Sequence, residues 1–277
     1  MDSMIEKPAL VTALAAILPF ALSACAFDLH DGPVAAEVAP VELAPQVADP
    51  CAVPRAGAVG VVRSEGFVDV DITVGAADSV RLACDPALAP AVHVEARGDA
   101  IRIWDDGAPP GVGGRRCAVH IGLGSLRALD VSGSGDARVH GRADGLALVR
   151  ATGSGDVAID ELAADAAQLS TSGSADIAVE TARARSLAVD VSGSGDVRVG
   201  GGESERVQVS VSGSGDVDAR HLGAADVVVS ASGSGDVVVS ASRRVRAVAS
   251  GSGDVTVAGR PAMRDASHSG SGSIAFE

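Results

Sequence analysis

Seven aspartates recur at a fixed step: Asp136, Asp156, Asp176, Asp196, Asp216, Asp236 and Asp254, twenty residues apart until a last interval of eighteen. Each closes a copy of the phrase Ser-Gly-Ser-Gly-Asp, with Thr152 opening one copy and Ala175 replacing the second glycine of another; a final copy ends at Ser273. A row of carboxylates suggests a row of cations, as in calcium-binding repeats. Those repeats, however, have a period of about nine residues, and calcium takes about six to eight oxygens. Here each period offers one carboxylate among hydroxyls and carbonyls, and no second acidic column accompanies it. The leading expectation is therefore structural: each Asp accepts backbone N–H groups of its own corner, as in an Asx-turn. Cation binding by the same seven residues is the alternative.

The cysteines are the other residues with reactive potential. A nucleophilic thiol needs a base and a group to orient it. His93 and His120 are available, but both sit in alternating, strand-like runs. In an oxidising compartment pairing is the default, so Cys84 and Cys117, in one β-rich segment, are the preferred disulfide. Spacing alone leaves Cys51 open as a partner for either. No constellation specifies a reaction, and no catalytic residue, metal site or cofactor is assigned.

The elements that must position the aspartates follow from the repeat. Self-similarity at about twenty residues signals a solenoid. Each block has a strand, the phrase, and a second strand, both alternating apolar with polar, as in Val207-Gln208-Val209-Ser210-Val211 and Val197-Arg198-Val199. Alternation means one buried and one wet face. Stacked blocks align Leu129, Val149, Leu169, Val189, Val209, Val229 and Ala247 in one column, and Ala137, Val157, Ile177, Val197, Val217, Val237, Val255 and Ile274 in another. The fold expected is all-β: a single-stranded parallel β-helix of about eight rungs over residues 121–277. At about 4.8 Å per rung it would be roughly 38 Å long. The first glycine of the phrase, present in every copy, suggests positive φ or no room for a Cβ; Ala175 suggests that the second position accepts an L-residue conformation. The variable stretches opening each block read as a solvent-facing turn or a weak third side.

A solenoid needs caps. Residues 55–120 hold short strands out of sequence register with the repeats and read as a non-repeating N-terminal cap. Arg264, Asp265 and His268 interrupt the last block, which reads as a C-terminal cap discouraging end-to-end pairing. Upstream, residues 1–24 form an export signal: Lys7 precedes the apolar run Ala9–Leu22, too short to span a bilayer. Leu22-Ser23-Ala24-Cys25 resembles a bacterial lipobox, which implies acylation of Cys25. Ala26 after it favours the outer membrane. Residues 25–54, with five prolines from Pro33 to Pro54, form an extended tether.

Composition bounds the partners. The net charge of −14 argues against nucleic acid, whose phosphates need clustered cations. Aromatics are 2% of residues, too few for the stacking platforms of a sugar-active β-helix enzyme. A polysaccharide lyase or hydrolase would also need acids gathered at one place, whereas these recur uniformly.

The run Gly66-Phe67-Val68-Asp69-Val70-Asp71-Ile72-Thr73-Val74-Gly75, the strand ending Ile101-Arg102-Ile103-Trp104, and Leu129-Asp130-Val131-Ser132-Gly133-Ser134-Gly135-Asp136 resemble the bacterial "putative auto-transporter adhesin, head GIN domain" family. The resemblance covers roughly Val59–Glu277 and implies an exported, often lipid-anchored β-solenoid with no established enzymatic activity. The expected function is a non-enzymatic envelope lipoprotein. Its solenoid would serve as an adhesin-like interaction surface or a spacer, with the membrane and an envelope protein or polysaccharide as partners.

Overall fold

The computed structural model describes residues 59–107 and 116–277. The export signal, the tether, Cys25 and Cys51 lie outside the described residues. The segment before the repeats folds into β1 (Val61–Gly66), β2 (Asp69–Val74), β3 (Ser79–Cys84), a 3₁₀ turn at Ala89–Ala91, β4 (Val92–Arg97), β5 (Ala100–Asp105) and β6 (Cys117–Leu123). The repeats begin with β7 (Ala128–Gly133), β8 (Ala137–Asp144), β9 (Leu148–Gly153), β10 (Val157–Gly173) and β11 (Ile177–Gly193). They continue through β12 (Val197–Val199), β13 (Gly202–Gly213), β14 (Val217–Gly233), β15 (Val237–Gly251), β16 (Val255–Ala258), β17 (Met263–Gly270) and β18 (Ile274–Phe276).

Successive turns stack in parallel with the repeat as their register. Leu169 pairs with Val189, Val189 with Val209 and Val209 with Val229 before the corner. Beyond the corner Val157 pairs with Ile177, Ile177 with Val197 and Val197 with Val217. Both columns face inward and are at most 1% exposed from Leu129 to Ala247 and from Ala137 to Val255. Burying each Val or Leu contributes about 1.5–3 kcal/mol, available only against a neighbouring turn. The chain is a parallel β-solenoid.

The stretch opening each block is a paired third side. Leu162 pairs with Ala182, Ala182 with Gly202 and Gly202 with Leu222; Leu162, Ala182 and Leu222 are buried. This side absorbs the shortened repeat: register slips between Ala219 and Asp226, and regular pairing resumes at Asp226–Arg244. The two main columns stay aligned.

The N-terminal segment is threaded out of order. β1 pairs in parallel with both β5 and β7, and β2 with both β6 and β8. The turn made by β1 and β2 is thus inserted between β5–β6 and β7–β8. β3 and β4 run antiparallel to β6 and β5 and finish the stack on two of its sides. The expected cap is therefore two strands; the rest of its residues continue the stack. Cys84 and Cys117, directly opposed across β3 and β6, are joined as a disulfide. At the other end, Arg264, Ala266 and His268 follow Val245, Ala247 and Ala249 in register. All three are exposed, and the Arg264 guanidinium lies 4.7 Å from the Phe276 ring centroid, closing the core with a cation–π contact.

Candidate functional site

The phrase is a corner between two sides of the solenoid, and its first residue types are set by how closely turns approach. The first glycines have positive φ, from +105° at Gly173 to +141° at Gly213. A Cβ there would also meet the carbonyl oxygen of the preceding turn's glycine, at 2.4 Å for Gly193. The second glycines lack positive φ, but a Cβ at Gly155 or Gly235 would lie 2.0 Å from the carbonyl of the turn below. Their conformation suits any residue; their space does not. The turn with Ala175 shows the accommodation. Gly155 and Gly195 each donate a second, longer bond to the carbonyl that already accepts from the preceding Ser. Ala175 does not, and the buried Thr171 hydroxyl donates to the Ala175 carbonyl at 2.5 Å instead.

The aspartates form a ladder that runs between turns. Asp156 donates its N–H to Asp136 Oδ1 at 3.0 Å, Asp176 to Asp156 at 3.0 Å and Asp196 to Asp176 at 2.8 Å. Asp216, Asp236 and Asp254 continue it at 2.8, 2.7 and 2.8 Å. The expectation that each carboxylate serves its own corner is corrected: it serves the next turn's. The reason is geometric, because at a corner the ladder of strand bonds is interrupted and the N–H of the next Asp points down the stack. Ser273 ends the column, its N–H and hydroxyl donating to Asp254 Oδ1 at 2.8 and 2.9 Å. These two bonds, the hydroxyl first, hold the Asp254 carboxyl below its ordinary range.

Sequence reading missed the first member. Asp136 donates its N–H to Asp69 Oδ1 at 3.0 Å. Glu65-Gly66-Phe67-Val68-Asp69 is a degenerate copy of the phrase, aligned by the pairing of Glu65 with Ser132 and Gly66 with Gly133. Only Gly followed three residues later by Asp survives as its signal. One turn earlier, Asp105 closes the corner by accepting from Phe67 N–H at 2.7 Å.

Electrostatics decides whether the column can stand without counter-ions. Neighbouring carboxylates about 4.8 Å apart repel by somewhat under 1 kcal/mol in water. A hydrogen bond to a charged group contributes about 1.5–3 kcal/mol. The ladder bonds therefore outweigh the repulsion, and the aspartates are explained as framework. A shallow groove of about 320 Å³ flanks Asp136, Asp156 and Asp176 over Ala158 and Ala178. A wider, open groove of about 610 Å³ on the third side runs past Arg183, Arg185, Glu203, Glu205 and Ser242. Its ions are largely paired: Arg183 with Glu161, Arg185 with Asp165, Arg206 with Glu205.

The remaining candidates are not gathered at one place. His93 stacks on Trp104, with centroids 5.2 Å apart, and contacts Asp106 at 2.8 Å. His120 lies on β6 beside Asp71. Cys84 and Cys117 are bonded to each other, so neither offers a thiol to a histidine.

Three solved structures share the fold. A "putative adhesin" from Parabacteroides distasonis superposes with a TM-score of 0.69 at 21% identity, over 80% of this chain and 94% of its own. A "putative lipid binding protein" from the same organism gives 0.68 at 21% identity over the same shares. A "putative adhesin" from Parabacteroides merdae gives 0.67 at 18%, over 80% and 93%. No curated protein matches the sequence. The family model described as "Putative auto-transporter adhesin, head GIN domain" matches residues 61–261, from β1 through the last full repeat, and the chain belongs to that family.

Proposed function

We propose that this protein is a non-enzymatic, lipid-anchored envelope protein whose solenoid presents an adhesin-like interaction surface. One observation carries this most: the carboxylates of the repeated phrase are engaged by the N–H groups of the next turn. The repeats thus supply a frame, and recognition falls to the outward columns and the variable third side. Family membership supports an exported, adhesin-like role. Acylation at Cys25 and a Pro-rich tether over residues 26–54 would hold the solenoid off the outer membrane. The partner would be an envelope protein or a polysaccharide.

Cell fractionation and a binding panel test the two halves separately. With Cys25→Ala the chain should leave the membrane fraction; persistence there would remove the anchor. Crosslinking in intact cells should capture a specific envelope component. Turnover of a polysaccharide by the purified chain would overturn the non-enzymatic role.

A further inference from the structure

On the third side, charge alternates from turn to turn and then stops. Arg183 on β11, Glu203 on β13 and Gly223 on β14 follow one another in register and are exposed. Both arginines of β11 turn to the preceding turn, Arg183 to Glu161 and Arg185 to Asp165 at 3.1 Å. On its other side Glu203 meets no cation, because its strand partner there is Gly223. Arg243, one turn further, is held by Asp226 through bonds of 2.9 and 2.5 Å, and Glu205 is taken by Arg206 at 3.4 Å. Glu203 has no ion-pair or hydrogen-bond partner among the described residues.

Nothing in the packing requires glycine at 223. The corner glycines have positive φ or no room for a Cβ, whereas Gly223 lacks positive φ. A Cβ there would meet only the Gly202 carbonyl oxygen at 3.6 Å and Glu203 Cγ at 4.0 Å, both ordinary contacts. Glycine inside a strand weakens it, and such a bare position often marks the close approach of another backbone. The shortened repeat thins the next turn at this level. The floor at Gly223 and Ala225 thus lies in the groove of about 610 Å³, with Ser240 and Ser242 on its far wall. Its walls, on β13 and β15, stand two strand spacings apart, about 10 Å. One extended chain running with the strands fits that width.

We propose that this groove docks an extended basic segment of an envelope protein, laid along β14, with a lysine or arginine pairing with Glu203 over Gly223. The proposal rests on the interaction role argued above and names its partner. Charge complementarity selects the occupant: the unpaired charge lining the groove is an acid, and the net charge of −14 attracts basic partners from a distance. Sugar stacking finds no aromatic lining here. β14 is already paired on both edges, with β13 and β15, so the contact is made by side chains rather than by strand addition. Exposed ion pairs are individually weak, so affinity is modest.

Fluorescence anisotropy of the full chain with a labelled peptide of alternating lysine and serine tests the groove, at about 0.15 M salt to screen long-range attraction. Saturable binding is expected, and none to a glutamate–serine peptide. Glu203→Gln should weaken binding about two- to fivefold. Gly223→Lys, which fills the floor and supplies the cation internally, should weaken it about tenfold. Asp130→Asn, which removes one charge from β7, should leave it unchanged. Both groove variants should melt within about 2 °C of the unsubstituted chain, as surface changes do; should Gly223→Lys melt early, Glu203→Lys reverses the charge without touching the floor. No binding of the lysine peptide, equal binding by all variants, or its displacement by a neutral β-glucan oligosaccharide overturns the proposal. Crosslinking in intact cells separates the groove from the interaction role. A component captured equally by the Gly223→Lys chain sinks the groove and leaves the role standing. Groove-dependent peptide binding with no component captured from cells does the reverse.

Discussion

At the scale of single residues, the corner glycines carry most of the positional information in this chain. Gly193 combines φ of +132° with a Cβ position 2.4 Å from the Gly173 carbonyl oxygen. Gly98 has φ of +61° in a hairpin with nothing within 4 Å. Gly193→Ala should therefore cost at least about 2 kcal/mol, from the left-handed conformation together with overpacking. Gly98→Ala should cost about 1 kcal/mol, from conformation alone. Denaturant unfolding of both variants checks the ranking, and equal losses would mean that the approach of neighbouring turns is not what fixes the phrase. The second glycine gives the subtler lesson. Ala175 shows that its backbone is ordinary, and only the stacked turn shows that its space is not.

At the scale of elements, disulfide pairing fastens the end of the stack where β3 runs antiparallel to β6. The bond closes 33 residues of chain, which predicts about 3–4 kcal/mol of stabilisation by loop entropy. Replacing Cys84 and Cys117 together by Ser should speed amide exchange in β3 and β6. Because each turn contacts only its neighbours, exchange in β13–β15 should barely change. Uniform loss of protection along the chain would contradict that locality. The repeats were legible in the sequence because each strand's inward residues recur at fixed register. The threading of β1 and β2 was not legible. Pairing order in a parallel stack leaves no local mark, and Glu65–Asp69 keeps only one Gly and one Asp of the phrase.

At the scale of the whole molecule, the solenoid is a frame whose stability should respond to acid. Arg243 holds the Asp226 carboxyl below its ordinary range, Arg102 does the same for Glu65, and Ser273 for Asp254. A carboxyl lowered in the folded state contributes stability that is fully present above its unfolded pKa, about 3.9 for Asp and 4.3 for Glu. That stability is lost as pH falls through the folded value. The melting temperature should thus be nearly flat from neutral pH to about pH 5 and decline below about pH 4; these groups are exposed, so each share is small. The aspartate column itself runs from Asp69 to Asp254 through consecutive turns. The most direct test is thermal unfolding of Asp196→Ala and Asp196→Asn, each with excess calcium or magnesium. Asp196→Ala removes the acceptor for the Asp216 N–H, a bond of about 1.5–3 kcal/mol, but also relieves two like-charge contacts, so its net cost should be about 1 kcal/mol. Asp196→Asn keeps an acceptor oxygen and removes two like-charge contacts, so it should melt close to the unsubstituted chain, with neither ion shifting any of the three. If Asn proves as damaging as Ala, and calcium raises the melting temperature of the unsubstituted chain alone, the column is a cation site rather than a framework.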